Sequence, residues 1–526
     1  MADIEKCKRQ SSSPAASADV IPVPTSTGHR INASGHVDQL PRQYGLLSIC
    51  ATALVIDNAW VVMGGSVVVS IANGGAPGLL YELLTACVYY GMIGLCLAEL
   101  ASAIPAAGGV YHWASVTPGP RYGRVVGFFA GHIGYWGWLF GWSSLIFIPA
   151  NMIIQMWAMF HPDFVQQPWH LYVIFLLLTW FCVACVIWCN RFMPFLQTLG
   201  LWIVVIGGPV TIIVLAAMPE KHASHAFVWK DFQNVTGWSN GAAFLVGVLN
   251  GAYAIGTPDS VTHMAEELPH PRRDLPKAIF AQLLLGSITS FCYAVALMYA
   301  ITDLDAVVQS PGAFPLAVIY AQATGSRGGT FGLLFIVLVS ITLCGIGGAI
   351  TVGRNLWALA REDAVPFSGV LAQCNERLGC PVAATVANGI IGSAFGAISL
   401  GSKVAFNDLA GSFIILTTCS FLLFILPNAL NRGRHVPPGP FSLGPRLGPV
   451  IHTVTSALIV FFTIVFCLPY ALPVTSELMN YNCVIIPGLM LLTALWWFAS
   501  ARKRYRGPRA PWDDDSLDGV GKEEEI

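Results

Sequence analysis

Charge is what this sequence has least of. Aspartate, glutamate, lysine and arginine make up 10% of its 526 residues and hydrophobic residues 55%, against roughly a quarter charged in soluble domains. That composition excludes an ordinary water-soluble domain. The polar first 42 residues lack the short apolar core that follows the basic segment of a cleaved signal peptide, so the first spanning helix is expected to act as its own insertion signal. Although there are 14 cysteines, no outer loop holds a pair, and no disulfide framework is expected. The Cys182/Cys185 spacing lies inside an apolar run, where both residues read as small packing groups. HExxH, GxSxG and clustered His/Asp sets are missing, which argues against an enzyme, a metal site or a resident cofactor. "PAAGGVYHWA" is glycine rich but lacks the Lys-Ser/Thr ending of a phosphate loop, and no nucleic-acid partner is expected.

What is present is a series of apolar runs, each of about 20 residues, the length that crosses a ~30 Å hydrocarbon layer as helix. Twelve are read, at 46–70, 79–100, 125–159, 171–189, 195–217, 241–265, 278–301, 331–358, 382–400, 409–426, 450–470 and 483–499. The fold class expected is therefore an all-α membrane protein with twelve transmembrane helices spanning 44–500 in the lipid bilayer. Residues 1–43 read as a disordered tail, and 501–526 as a second tail that starts basic, suited to anionic headgroups, and ends acidic. With both termini cytoplasmic, every lysine and arginine except Lys221, Lys230, Arg327 and Lys403 falls on the inner side, as the positive-inside rule requires. On the outside lie the sequon at Asn234 and the amphipathic "FPLAVIYAQATG", which reads as a short helix over the mouth of the protein.

Two spans are interrupted. In "YAIGTPDSVTHMAEELPHPRRDLPKAI" (253–279), Gly256 is suited to end a helix through a left-handed conformation. Thr257 is suited to cap a new one, and Pro258 to occupy its first turn. Asp259 would then lie at the positive helix end. Span one carries Asp57, Asn58 and Trp60 near its middle, with Gly64 and Gly65 beyond. Interrupted helices at matching positions of two five-helix halves point to a 5+5 inverted repeat with broken helices one and six, plus two extra helices, the architecture of secondary transporters.

Three motifs, "PAAGGVYHWAS", "GTPDSVTHMAEELPHPRRDLPKAI" and "GRNLWALAREDAVPFS", resemble the amino acid, polyamine and organocation transporter superfamily, within it the fungal branch of amino acid, gamma-aminobutyrate and choline permeases. The likeness covers about 44–501. It implies substrate bound between helices one and six, alternating access, proton-coupled import in many relatives and residence in the plasma membrane. The family's helix-one site matches Asn58, Ala59 and Trp60, and its helix-six site matches Tyr253, Ala254, Ile255, Gly256 and Asp259. Its acidic pair matches Glu266 and Glu267. Two departures are present: Asp57 stands where many relatives have a neutral residue, and span five lacks a lysine that some proton-coupled relatives carry.

A mid-membrane aspartate costs roughly 2.5–3.5 kcal/mol on insertion scales and normally faces a cavity or a partner. Asp57 therefore reads as a group that holds an ammonium or a coupling proton, or that bonds across the break. Trp60 and Tyr253 stack on a cation or fill space, and aromatics of "GHIGYWGWLFGWSS" (Tyr135, Trp136, Trp138, Trp142) supply further cavity walls. Ser340 or Thr342 is a weaker cation candidate. Asp259, His263 and Glu266 or Glu267 share a helical face that serves as a proton relay or as a gate closed by Arg354 and Arg361. The pair of breaks favours a carboxylate-bearing amine, so amino acids or gamma-aminobutyrate are placed first, choline or polyamine second, and a non-transporting nutrient sensor third.

Overall fold

The computed structural model describes residues 42–309, 314–402, 404–476 and 478–508; most of the two expected tails lies outside them. Those residues form nineteen α-helices. In chain order they are α1 (Leu46–Asp57), α2 (Ala59–Gly65), α3 (Ile71–Ala103), α4 (Val110–Val116), α5 (Gly123–Ala158), α6 (Pro168–Trp188), α7 (Met193–Ala217), α8 (His225–Trp229), α9 (Asn240–Ile255) and α10 (Pro271–Tyr299). There follow α11 (Leu304–Gln309), α12 (Pro315–Thr324), α13 (Arg327–Arg361), α14 (Ser368–Leu371), α15 (Val382–Gly396), α16 (Ala405–Leu430), α17 (Gly444–Val465), α18 (Asn482–Trp496) and α19 (Arg502–Arg504). Among the described residues there is no strand, only one isolated bridge between Asn375 and Cys380. Helix α12 is the amphipathic segment expected in the second long loop.

Eleven of the described helical stretches are long and apolar enough to cross a membrane, and Asn240–Ile255 is a shorter apolar helix. The expected span at 241–265 thus appears as 16-residue α9 followed by irregular backbone. The last span runs on through Arg504 with Tyr505 buried, and Arg124 Nε donates to the Tyr505 carbonyl (2.8 Å).

The first break is made by one residue. Asn58 sits at φ 41°, ψ 43° between α1 and α2, a left-handed conformation that asparagine tolerates better than other side-chain-bearing residues. The sequence reading placed the left-handed residue in the other break, at Gly256, but Gly256 has φ −81°. Glycine stands there for space instead, because a Cβ would collide with the Ala252 carbonyl and Ile414. No second α-helix begins at Thr257. Residues 257–261 turn, and Thr262–Glu267 form a 3-10 helix. Thr262 Oγ1 donates to the Asp259 carbonyl (2.7 Å), the kind of local side-chain bond that competes with α-helix, and 3-10 geometry suits so short a segment.

Around the breaks, α5 packs on α13 and α16, α3 on α9 and α10, and α1 on α7 and α10. Small residues set the closest approaches: a Cβ at Gly251 of α9 would lie 2.9 Å from Leu83 Cα, and one at Gly137 of α5 3.0 Å from the Thr417 backbone nitrogen.

Asn58→Ala and Asn58→Gly both remove the side-chain amide and differ in their tolerance of φ 41°. The alanine variant should be the less stable by about 1–2 kcal/mol, read as a lower midpoint in thermal unfolding of the purified protein. Equal midpoints would refute the assignment of strain to Asn58.

Candidate functional site

Where the breaks face each other, Asp57 ends α1 and its carboxylate reaches the second interruption. Asp57 Oδ1 accepts hydrogen bonds from Thr257 Oγ1 (2.8 Å) and Gln282 Nε2 (3.1 Å), and Gln282 Nε2 also donates to the Thr257 carbonyl (2.7 Å). Asp57 is 2% exposed, and its Oδ2 has no hydrogen-bond partner. Asn58 Nδ2 donates to Ser340 Oγ (3.0 Å), which ties the αL turn to α13. Thr342, the other weak cation candidate, donates to the Leu338 carbonyl of its own helix (2.7 Å).

Beside this junction is a cavity of ≈ 30 Å³ whose walls include Asp57, Trp138, Trp142, Tyr253, Thr257 and Phe413. Asp57 is the only charged residue of the lining. Tyr253 shares a hydrogen bond with Ser144 Oγ (2.9 Å) and stands edge-on to Phe413, while Trp142 Nε1 donates to the Gly345 carbonyl (2.9 Å). Trp138 Nε1 donates to Asp259 Oδ2 (2.9 Å), so the cavity wall is wired to the irregular segment below it.

The site residues expected from sequence divide between this cavity and other places. Asp57 and Tyr253 line the cavity; Trp60 does not, packing instead edge-on against Tyr293 (5.2 Å between centroids) and alongside Gly208. Ala59 faces Gly286, and Ala254, Ile255 and Gly256 are buried in the packing of α9. Tyr135 bonds Asn388 (2.9 Å) away from the cavity. Gln282 and Phe413 were not anticipated: Gln282 is a polar amide in the apolar run of span seven, Phe413 is ordinary in such a run, and only tertiary packing brings both to the breaks.

Toward the arginine-rich face, His263 Nε2 lies 3.6 Å from Asp259 Oδ2, and its Nδ1 is 3.2 Å from the Ala107 carbonyl. Arg354 Nε meets Glu267 (3.2 Å) and Arg361 meets Glu266 (3.0 Å). Arg354 also donates to Asn190 (3.3 Å), and the Arg361 guanidinium covers the Trp357 ring at 4.0 Å. Arg272, in the first turn of α10, donates to the Ser102 carbonyl (3.1 Å). Tyr44 joins this plug, its N–H donating to the Glu267 carbonyl (3.2 Å). Burial, reinforced by the Glu267 charge, pushes the Tyr44 phenol above its ordinary pKa.

At the opposite face the loop before α9 lies on the start of α3, with the Gln233 N–H donating to the Gly74 carbonyl (3.2 Å) and Val235 N–H to that of Ala72 (3.0 Å). Phe232 fills the space over Gly74. In the sequon, Asn234 Nδ2 donates to the Trp238 carbonyl (2.7 Å) and Asn240 (3.2 Å), and Thr236 is buried, so the acceptor amide is engaged in the folded loop. Nearby, Tyr320 of α12 bonds Tyr293 (2.7 Å), the ring that backs Trp60. Ion pairs thus close one end and packed loop the other. Among the described residues no group of three or more histidine, cysteine or acidic side chains is placed to hold a metal.

The family model described as amino acid permease matches residues 47–489. A choline transporter of Saccharomyces cerevisiae is 32% identical over 477 residues, covering 90% of this chain and 84% of the relative. Amino-acid permease BAT1 of Arabidopsis thaliana is 27% identical over 512 residues, with 93% and 97% covered. A GABA-specific permease of Saccharomyces cerevisiae is 26% identical over 510 residues, with 93% and 86% covered. The match spans both broken helices, the cavity between them and the ion pairs beneath, and with these relatives it establishes that the chain belongs to the amino acid permease family, a family of membrane transporters rather than enzymes.

Proposed function

We propose that the protein is a secondary carrier that imports a small organic cation of the choline type by alternating access, driven by protons. The observation that carries the substrate class is the cavity lining: one carboxylate, Asp57, among Trp138, Trp142, Tyr253 and Phe413, and no basic side chain. Aromatic faces and a carboxylate together suit a quaternary ammonium, which needs no carboxylate partner. This places choline ahead of the amino acids that the pair of breaks alone had favoured, and a relative carrying the name choline transporter agrees with it. Gamma-aminobutyrate is the second reading, supported by the start of α2 at Ala59 directly after the break, where the positive helix end favours a carboxylate.

A cavity of ≈ 30 Å³ has room for about one water molecule, so the structure reads as a state closed at both ends that must widen around substrate. The Arg354–Glu267 and Arg361–Glu266 pairs act as the inner gate, on the cytoplasmic side where the positive-inside rule puts the arginines. The plasma membrane, with both termini cytoplasmic, is the location that fits import.

In cells expressing the protein, uptake of labelled choline should be competed by excess choline and barely by gamma-aminobutyrate, amino acids or polyamines. Asp57→Asn should lower choline uptake tenfold or more, because the cation loses its charge partner, an attraction of about 4 kcal/mol at 4 Å and an effective dielectric constant of 20. Carrier-dependent uptake of labelled gamma-aminobutyrate or amino acids without uptake of labelled choline would overturn the cation assignment in favour of the second reading. For the gate, Arg354→Ala leaves the buried Glu267 unpaired, which should cost about 3–5 kcal/mol. Removing both partners in Arg354→Ala/Glu267→Ala should recover part of the lost thermal stability. A double variant that loses the sum of the two single losses would show that the pair is not coupled.

A further inference from the structure

The carboxylates buried in this protein differ in what holds them. Asp57 and Asp259 accept hydrogen bonds at the breaks, Glu266 and Glu267 pair with arginines, and the half-buried Glu99 accepts from Ser442 and the Leu443 N–H. Asp408 accepts from Tyr470. Glu82 of α3 is different: it is 1% exposed, and neither carboxylate oxygen has a hydrogen-bond partner among the described residues.

Its surroundings are built to admit the side chain without binding its charge. Glu82 points at α9, where a Cβ on Gly247 would overlap the carboxylate, and Gly78 leaves space beside it on α3. Ser70, just before α3, is its polar neighbour. Asn250 is committed elsewhere, its Oδ1 accepting from Ser66 (2.6 Å) and its Nδ2 directed at Met63 Sδ (3.5 Å). Phe232 closes the loop side, next to Gly74 and Gly78. The other elements packed on α3 bring Trp229 of α8 to Tyr81, Leu283 of α10 to Gly94 and Phe462 of α17 to Tyr89. None of these facing groups carries a charge. The titratable Tyr81, Cys87, Tyr89 and Tyr90 lie on α3 itself, and Lys230 and Asp231, which precede Phe232, are exposed.

An ionised carboxylate sealed in such a seam, with only the Ser70 hydroxyl near it and no cation, costs several kcal/mol, and the neutral acid far less. We propose that Glu82 is a proton-binding site: as α2 and α9 close on α3, a carboxylate oxygen takes one proton from the solution on the lysine- and arginine-poor side and forms an O–H bond. The proton is returned when the helices part. Closure of the outer end is therefore coupled to proton uptake, at a site separate from Asp259 and His263. The inference rests on the carrier reading and its orientation.

Two measurements on the full-length protein in lipid vesicles test it. The apolar reagent dicyclohexylcarbodiimide, which attacks protonated carboxyls in apolar surroundings, should modify Glu82 at acid pH and progressively less as outer pH rises, read by peptide mass spectrometry. Absence of label on Glu82 across that range overturns the site. Counterflow of labelled choline and of labelled gamma-aminobutyrate, on the same vesicles, tests the carrier reading: no counterflow with Glu82 labelled as expected leaves the proton site standing and removes the carrier. Where transport is measured, wild-type uptake should fall with rising outer pH by up to tenfold per unit, the limit for one proton. Glu82→Gln should flatten that dependence, and His263→Ala should leave it. A wild-type slope retained in a transporting Glu82→Gln protein, or one abolished by His263→Ala instead, overturns the proposal; if the glutamine variant does not fold, the labelling result decides.

Discussion

The arrangement of the core depends on one carboxylate that joins two interrupted helices. Asp57 Oδ1 receives the Thr257 hydroxyl and the Gln282 amide, so the end of α1, the turn after α9 and the middle of α10 are fixed to one atom. Backbone interrupted at membrane depth is tolerated where it is buried in protein or lines a cavity, and here it does both. The αL turn at Asn58 is tied to α13 through Ser340, and Trp138 carries the connection from the cavity wall to Asp259. The other Asp57 oxygen, Oδ2, lies against Gly286 of α10 without a hydrogen-bond partner.

The two ends are closed by different physics. Beneath the cavity, Arg354–Glu267 and Arg361–Glu266 are buried and reinforced by Asn190 and the Trp357 ring, so opening must rehydrate charges. Above it, backbone bonds between the 232–235 loop and the start of α3, apolar packing and an acid without partners form the seal.

Much of this was legible in the sequence, for reasons that also mark where legibility ends. Apolar runs of helical length are set by the bilayer, so the all-helical fold could be read directly, and a polar pair such as Asp57-Asn58 within an apolar run announces a break because lipid penalises it. The mechanism of each break was less accessible. Proline and glycine drew attention to 256–258, yet the left-handed residue is Asn58, and Gly256 answers to the nearby Ala252 carbonyl and Ile414. Trp60 was offered by the family resemblance as a site residue, with space filling as the alternative; side-chain direction on α2 sends it to Tyr293. Phe413 carries no local signal, and Gln282 only that of a polar amide in an apolar run. Glu82 did carry one, a single acid inside an apolar run as at Asp57, but its distinguishing property is the lack of partners, which only packing reveals.

The central claim is that Asp57 and the aromatic walls around it form a site for an organic cation where the two breaks meet. A cryo-electron microscopy structure of the protein in lipid with saturating choline tests it most directly. The account predicts a widened cavity with the trimethylammonium group against the faces of Trp142, Tyr253 or Phe413 and within electrostatic contact of Asp57. Choline bound elsewhere, or an unaltered junction at saturating concentration, would contradict it.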